Sequence, residues 1–525
     1  MRNAASFQQI LAARVSRRGV LQGGMGVATA AMVPSFGALL AGCAPVADGG
    51  RAAIGQGALG FASIATSTDD AVRVPRGYVV QVLYRWGDPI GAAAGQPAFK
   101  MDATGTAADQ ALQAGMHHDG MQFFPFGQTP GPAGSDSLHG LLAMNHEYFD
   151  GELLHPDGWG VGSLQKTLKE QYAVGVSVVE ATQRNGRWEI VRPSKYARRI
   201  HGATPISISG PAAGSSLMRT ALDPTGREML GTFAGCSHGW TPWDTYLSCE
   251  ENYQMMFTAA ASGRTSEQAR DYLPPKPRYE WGRFDARFDL ARHPNEIHRF
   301  GWVVEIDPTD PTSKPVKRTA LGRFSHEGAA PAIGPDRRVA WYMGDDQPFE
   351  YIYKFVARDA WNATDRAANR DLLDNGTLYV ARFNADGSGD WLPLVAGIGP
   401  LTAANGFPDQ ATVLVRTRQA ADAVGATKMD RPEWTAVHPV TNEVYCTLTN
   451  NMQRGQPDRA AADAANPRAQ NQFGHIIRWR EAKSDVAATR FEWDIFVLAG
   501  DPGAADPAKR GNAKGGAAFG SPDGL

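Results

Sequence analysis

The chain has 525 residues, 43% of them hydrophobic, and a formal net charge of −2; that is ample material for one large core or two ordinary ones. Removing residues 1–42 takes away Arg2, Arg14, Arg17 and Arg18 and no acid, which leaves −6 on the remainder. A mildly acidic body argues against nucleic acid or an anionic membrane as partner and is compatible with binding cations.

Ser16-Arg17-Arg18-Gly19-Val20-Leu21 opens a Gly- and Ala-rich stretch with no charged residue between Arg18 and Asp48. This is the pattern of a twin-arginine signal over residues 1–42, with the twin-arginine export machinery as a partner and the periplasm as destination. Pro34 and several glycines interrupt the apolar stretch, so it reads as a leader rather than a membrane span. Leu40-Ala41-Gly42-Cys43 resembles a lipobox, which would make Cys43 a lipid anchor; the alternative is ordinary cleavage nearby with Cys43 discarded. Residues 43–70 read as a linker.

From residue 71 to 525 short strands dominate. The runs 78–84, 301–308, 339–343, 351–356 and 377–383 alternate, or are rich in β-branched and aromatic residues, and Asp-Pro, Asp-Gly and Asn-Gly turns lie between them. Residues 434–445 read as strand, turn, strand, as in one propeller blade. Segments 165–183, 263–272 and 358–372 are expected as helical or loop decorations, and 454–470 as a polar, mobile loop. The fold class expected is all-β, a β-propeller with helical and loop insertions.

Three cysteines remain after the leader, Cys236, Cys249 and Cys446. If two pair, one thiol is left for a metal; otherwise all three are small buried hydrophobes. Cys236 sits in a glycine-rich loop, and Glu250 and Glu251 follow one strand later. A thiolate with paired carboxylates suits a borderline metal beside a hard one. Met144-Asn145-His146-Glu147 and Arg323-Phe324-Ser325-His326-Glu327-Gly328 place His-Glu steps at strand ends. Gly344-Asp345-Asp346 followed by Glu350 suits calcium, which takes six to eight oxygen ligands. Asp430-Arg431-Pro432-Glu433 sets a guanidinium able to grip phosphate with two bonds beside a carboxylate able to hold a metal.

Together these motifs, with Trp86-Gly87-Asp88-Pro89-Ile90, His201-Gly202-Ala203-Thr204-Pro205, Gly301–Pro308 and Thr449-Asn450-Asn451, resemble the PhoX family of bacterial alkaline phosphatases over nearly all of the chain beyond its leader. The resemblance implies a monomeric propeller phosphomonoesterase acting on small phosphate esters at a mixed Fe(III) and Ca2+ centre. Residue by residue, it implies Cys236 as a thiolate to iron, Glu251 and Glu327 as ligands or bridges, Asp345 or Asp346 completing the set, Glu433 on calcium and Arg431 on the substrate phosphate. Glu147 and Glu250 match motif positions without an assigned role. Two departures are visible: Gly235-Cys236-Ser237-His238-Gly239 stands where the family has Asn-Cys-Ala-Gly-Gly, and the chain stops at Ser521-Pro522-Asp523-Gly524-Leu525, where a closing blade is expected. Two competing readings are a calcium-dependent propeller phytase, which has no need of Cys236, and a non-enzymatic exported propeller lipoprotein, which has no need to gather these groups in one place.

Overall fold

A computed structural model describes residues 61–127, 136–515 and 518–525. The twin-arginine segment and Cys43 lie outside the described residues. Two compact units are distinguished, residues 1–83 and Tyr84–Leu525. In the first, the strand expected over residues 78–84 does not form: none of 78–83 is assigned to a strand, and Val79 and Val82 are exposed. A period-2 apolar pattern alone does not make a strand, which also needs a ladder partner for its N–H and C=O groups.

The second unit is built from three mainly antiparallel sheets in a propeller-like arrangement. The first runs His118–Phe126, Asp136–His146, Gly175–Arg184 and Arg187–Ile190, with Arg198–Ile200 also on Gly175–Arg184. In the second the order is Glu228–Leu230, Pro205–Ser209, Val316–Arg318, Val303–Ile306, Tyr246–Glu250 and Gly235–Trp240, with one parallel pair between Val316–Arg318 and Pro205–Ser209. The third joins two meanders, one from Ala330–Ile333 to Ser388–Pro393 and one from Pro432–Val437 to Arg490–Leu498. Their outer strands pair through Ser388–Asp390 and Arg490–Glu492.

The strands of the third sheet show why parts of the sequence read as continuous apolar runs. Val339–Gly344 and Ile352–Ala357 are buried along their whole length. Val339, Trp341, Met343, Tyr353 and Phe355 face one core, while Ala340, Tyr342, Ile352 and Val356 face a second core between the meanders. Both faces are covered, so both sets of alternate residues are apolar.

Segment 165–183 corrects the expectation of a pure decoration. A helix, Leu164–Ala173, begins at Ser163, whose hydroxyl accepts from the Lys166 N–H, and gives way at Gly175 (φ 105°) to the strand Gly175–Arg184. Val176, Val178 and Val179 on that strand are buried, because β-branched residues pack well on a pleated surface. The expectation for 263–272 holds as a short helix, Ser266–Arg270, with a capping box from Thr265 and Gln268.

Residues 454–470 are irregular, yet the segment is pinned rather than loose. Arg454 is fully buried, pairs with Asp430 and donates to the carbonyls of Ala461 (3.0 Å) and Lys428 (2.7 Å). Arg468 donates to the Ala499 carbonyl at 2.7 Å, and Asn466 to Lys428 at 3.1 Å. Arg454→Met strands the buried Asp430 carboxylate and should lower unfolding free energy by about 3–5 kcal/mol, whereas the exposed Arg459→Met should stay within about 0.5 kcal/mol. Urea unfolding of both variants measures this, and equal midpoints would contradict the pinned segment.

Candidate metal centre

The site is assembled from strand ends. Cys236 is on Gly235–Trp240; Glu251 follows Tyr246–Glu250; Glu147 follows Asp136–His146; Asp346 lies just past Val339–Gly344; Glu433 is the second residue of Pro432–Val437, which Arg431 precedes. Main-chain hydrogen bonds tie these ends to one another. The Glu147 N–H donates to the His117 carbonyl (3.0 Å), Ala234 to Glu147 (3.1 Å), Glu251 to Ala234 (2.7 Å), Glu327 to Gly344 (3.0 Å) and Asp346 to Ser325 (3.1 Å). Residues scattered over most of the chain thereby meet in one place.

Two groups of ligating atoms result, Cys236 with Glu251 and Glu327, and Glu327 with Asp346 and Glu433; within each group the atoms lie within 4.8 Å of one another. Glu327 is common to both, the position of a bridging ligand. The Cys236 thiol donates to Glu327 Oε2 at 3.2 Å and to Asp119 Oδ2 at 3.6 Å. Arg431 closes the far side, with its guanidinium 2.6 Å from Asp346 Oδ2 and 3.1 Å from Glu433 Oε1. Arg431 has a left-handed backbone (φ 57°), uncommon for a side chain of its size. Its carbonyl accepts from the Thr449 N–H at 3.1 Å.

The electrostatics are those of anions lacking enough cations. Burial is the main cause that raises the carboxyl groups of Glu251 and Glu327, and their acidic neighbours add to it; Asp346, one of those neighbours, is raised by its own burial with Arg431 opposing. Glu433 is pushed up to about 10 by burial and by Asp346, against the pull of Arg431, and Glu147 to about 7 by burial and by Asp119. Burial and the surrounding carboxylates hold the Cys236 thiol well above its usual range. Neither the thiol nor the carboxylates can be ionised together here without added positive charge. A thiolate with oxygen donors suits iron, and the all-oxygen group suits a hard cation such as calcium, so the residues fit both metals expected from the sequence.

Two expected ligands are elsewhere. Glu250 points to the opposite side of its strand from Glu251. It pairs with the buried Lys317 at 2.7 Å, accepts from the Thr232 hydroxyl at 2.9 Å, and takes the Gly301 N–H at 3.0 Å and the Trp302 N–H at 3.2 Å. Asp345 is held by the Arg418 guanidinium and by the Ser325 N–H, and belongs to neither group. Between Asp345 and Asp346, the second faces the site. In the Asn-His-Glu run, only Glu147 faces it. Asn145 donates to the carbonyls of Cys236 (2.7 Å) and Ser237 (2.8 Å), and His146 bonds Ser177 at 2.6 Å. Asn145 also explains the departure at Gly235: a Cβ there would lie 2.8 Å from the Ser248 hydroxyl and 3.2 Å from the Asn145 amide carbon. The amide beside the thiol comes from another strand.

Two acids were missed. Asp119 hydrogen-bonds both Cys236 and Glu147, and Asp523 acts electrostatically on Glu147, Asp346 and Glu433. The local sequence, His117-His118-Asp119-Gly120, offers no more than a polar run opening a strand.

The raised carboxyls carry a pH dependence. An acid whose folded pKa lies above its unfolded value, here about 7 and about 10 against 4.5, stabilises the fold while protonated, and that stability is lost as pH rises through those values. Chelator-treated protein should therefore melt at falling temperature between about pH 5 and about pH 9, with added calcium reversing the fall at the alkaline end. A flat profile would show the carboxyls are not crowded. Glu251→Gln should reduce metal uptake while leaving the metal-free fold as stable or more so; Glu250→Gln should cost about 3–5 kcal/mol by stranding Lys317. Metal analysis and denaturant melts of the two variants decide it.

Comparison with known proteins gives the same direction. No curated protein sequence matches the chain. The family model described as alkaline phosphatase PhoX matches residues 59–525. Among solved structures, Pseudomonas fluorescens PhoX in complex with vanadate, a transition state analogue, is 46% identical with a TM-score of 0.85, over 89% of this chain and 81% of that one. The chain belongs to the PhoX family of alkaline phosphatases and is an enzyme of that type.

Proposed function

We propose that this is an exported phosphomonoesterase whose centre holds iron through Cys236 and the carboxylates shared with it, and calcium through Asp346, Glu433 and Glu327. The observation that carries the reading is the convergence of one thiol, several buried acids and a half-exposed arginine, a set that neither a structural propeller nor a purely calcium-dependent phytase requires. When bound, the cations would draw charge off the phosphoryl oxygens and activate the attacking oxygen nucleophile. The protein's own share is positioning. Arg431 lies on the half-exposed rim, where its planar fork can hold two phosphate oxygens and orient the ester for in-line attack. Glu433 and Asp346, both within reach of that guanidinium, fix its direction before substrate arrives. Buried walls keep bulk water from screening these charges.

Small phosphate esters suit the arginine and the anion-attracting centre; the vanadate in the Pseudomonas fluorescens protein is a phosphate-like occupant of that relative. Export by the twin-arginine route to the periplasm, with Cys43 as a lipid anchor, and action as a monomer complete the proposal; its support is the Arg17-Arg18 leader and the Leu40–Cys43 run. Among the described residues no helix is long and apolar enough to cross a membrane.

Cys236→Ala should abolish the iron absorbance and most phosphatase activity, because thiolate-to-iron charge transfer needs the sulfur, while Cys249→Ala, fully buried, should only lower stability. Calcium-only enzyme with wild-type turnover would favour the phytase-like alternative. Arg431→Lys should retain metals and lose turnover, since an ammonium lacks the fork. Glu433→Gln should lose calcium and recover on calcium addition. Rescue of the lysine variant by calcium would reverse the assigned roles.

A further inference from the structure

Arg418 is fully buried on the helix Thr417–Val424, and no residue of the metal centre touches it directly. Its Nε donates to Asp345 Oδ2 at 2.8 Å, and one terminal nitrogen donates both to Asp345 Oδ1 and, at 3.1 Å, to the Ser325 hydroxyl. The Ser325 N–H in turn donates to Asp345 Oδ1 at 3.2 Å, and the Ser325 carbonyl accepts from Asp346. His326 and Asp345 form an isolated antiparallel bridge. One guanidinium thus staples the segment that ends in Glu327 to the segment that ends in Asp346. Those two carboxylates repel each other, and both belong to the all-oxygen group. Glu350, 3.8 Å from Arg418 Nε, and the Tyr272 ring, 4.9 Å from its guanidinium carbon, keep the arginine from turning away.

We propose that Arg418, through Asp345, is a positioning residue that holds Glu327 and Asp346 at cation-binding distance before any metal arrives. This rests on the reading of the cluster as a metal centre. The staple works by geometry: it fixes two main-chain segments whose side chains would otherwise separate to relieve their repulsion, so its loss should weaken cation binding without removing a single ligand atom.

The test is calcium titration, by calorimetry, of chelator-stripped protein. Arg418→Lys keeps the charge but loses the fork, and the paired variant Arg418→Met with Asp345→Leu removes the staple without stranding Asp345. Lys354→Met with Glu481→Gln is the control, since that buried pair lies between the meanders and belongs to neither ligand group. Calcium affinity should fall about tenfold or more in both staple variants, as for other residues that orient ligands, and stay within about twofold of wild type in the control, with circular dichroism confirming folding. Wild-type affinity in the staple variants, an equal fall in the control, or failure of both staple variants to fold would each overturn the proposal. Failure of the wild-type protein itself to bind calcium would instead sink the metal reading.

Discussion

Carboxylates and a thiol brought together in a buried pocket repel one another when ionised, and Arg431, with the Asn252 amide that donates to Glu251, opposes that repulsion. The strand ends that carry them are tied together in a way that holds them there. A single helix or hairpin could not, because adjacent like charges on one flexible element separate. Strand ends can, since each is fixed by a ladder on one side and by main-chain bonds to the next strand end on the other. The propeller-like arrangement supplies many such ends pointing to one place. The metal-free protein therefore stores electrostatic strain that bound cations relieve, and the same strain sets how tightly they are bound.

Relief by cations also bears on the alkaline range in which this family's name places its chemistry. In the proposed centre, metal binding would displace protons from Glu433 and from the Cys236 thiol, both raised chiefly by burial. Alkaline conditions reduce that competition. Arg431 is unaffected over the same range, since its guanidinium stays charged beside Asp346. The phosphate grip proposed for Arg431 and metal retention would thus remain compatible where the competing protons are scarcest.

How much of this was legible in the sequence depended on strand register. The strand runs 301–308, 339–343, 351–356 and 377–383 and the 434–445 hairpin were readable because their β-branched and aromatic content exceeds what any helix face requires. Run 78–84 had the same pattern and forms no strand, since local sequence does not say whether a ladder partner exists. At the site, residue types were readable and directions were not. Glu250-Glu251 and Asp345-Asp346 are doublets at strand ends; successive side chains point to opposite faces, so one of each pair must turn away from the centre. Composition cannot say which. Only pairing with Lys317 and with Arg418 decides it. Asp119 escaped for a different reason: its role comes from contact with Cys236, 117 positions away, and its own neighbourhood reads as an ordinary strand start.

The residues that turn away show a recurring logic. Glu250, Asp345 and Asp430 each immediately precede a residue that faces the centre, Glu251, Asp346 and Arg431. Each is joined to a buried cation, Lys317, Arg418 and Arg454 respectively, with side chains on both sides of these pairs essentially inaccessible to water. A buried ion pair contributes little net stability, because desolvation offsets most of its attraction. Its value here is directional. At Glu251 and Asp346, once the first residue of the step is locked into a cation on the reverse side, the alternation of a strand end sends the next side chain the other way; at Arg431 the left-handed backbone makes that turn instead. An apolar residue would pack on that reverse side as well, but it could slide or change rotamer under the outward push of like charges; a fork of hydrogen bonds resists both. Glu250 and Asp345, which were expected as ligands, and Asp430, which was not, are therefore anchors behind the residues of the proposed centre, and the repulsion within it is balanced by attraction just behind it.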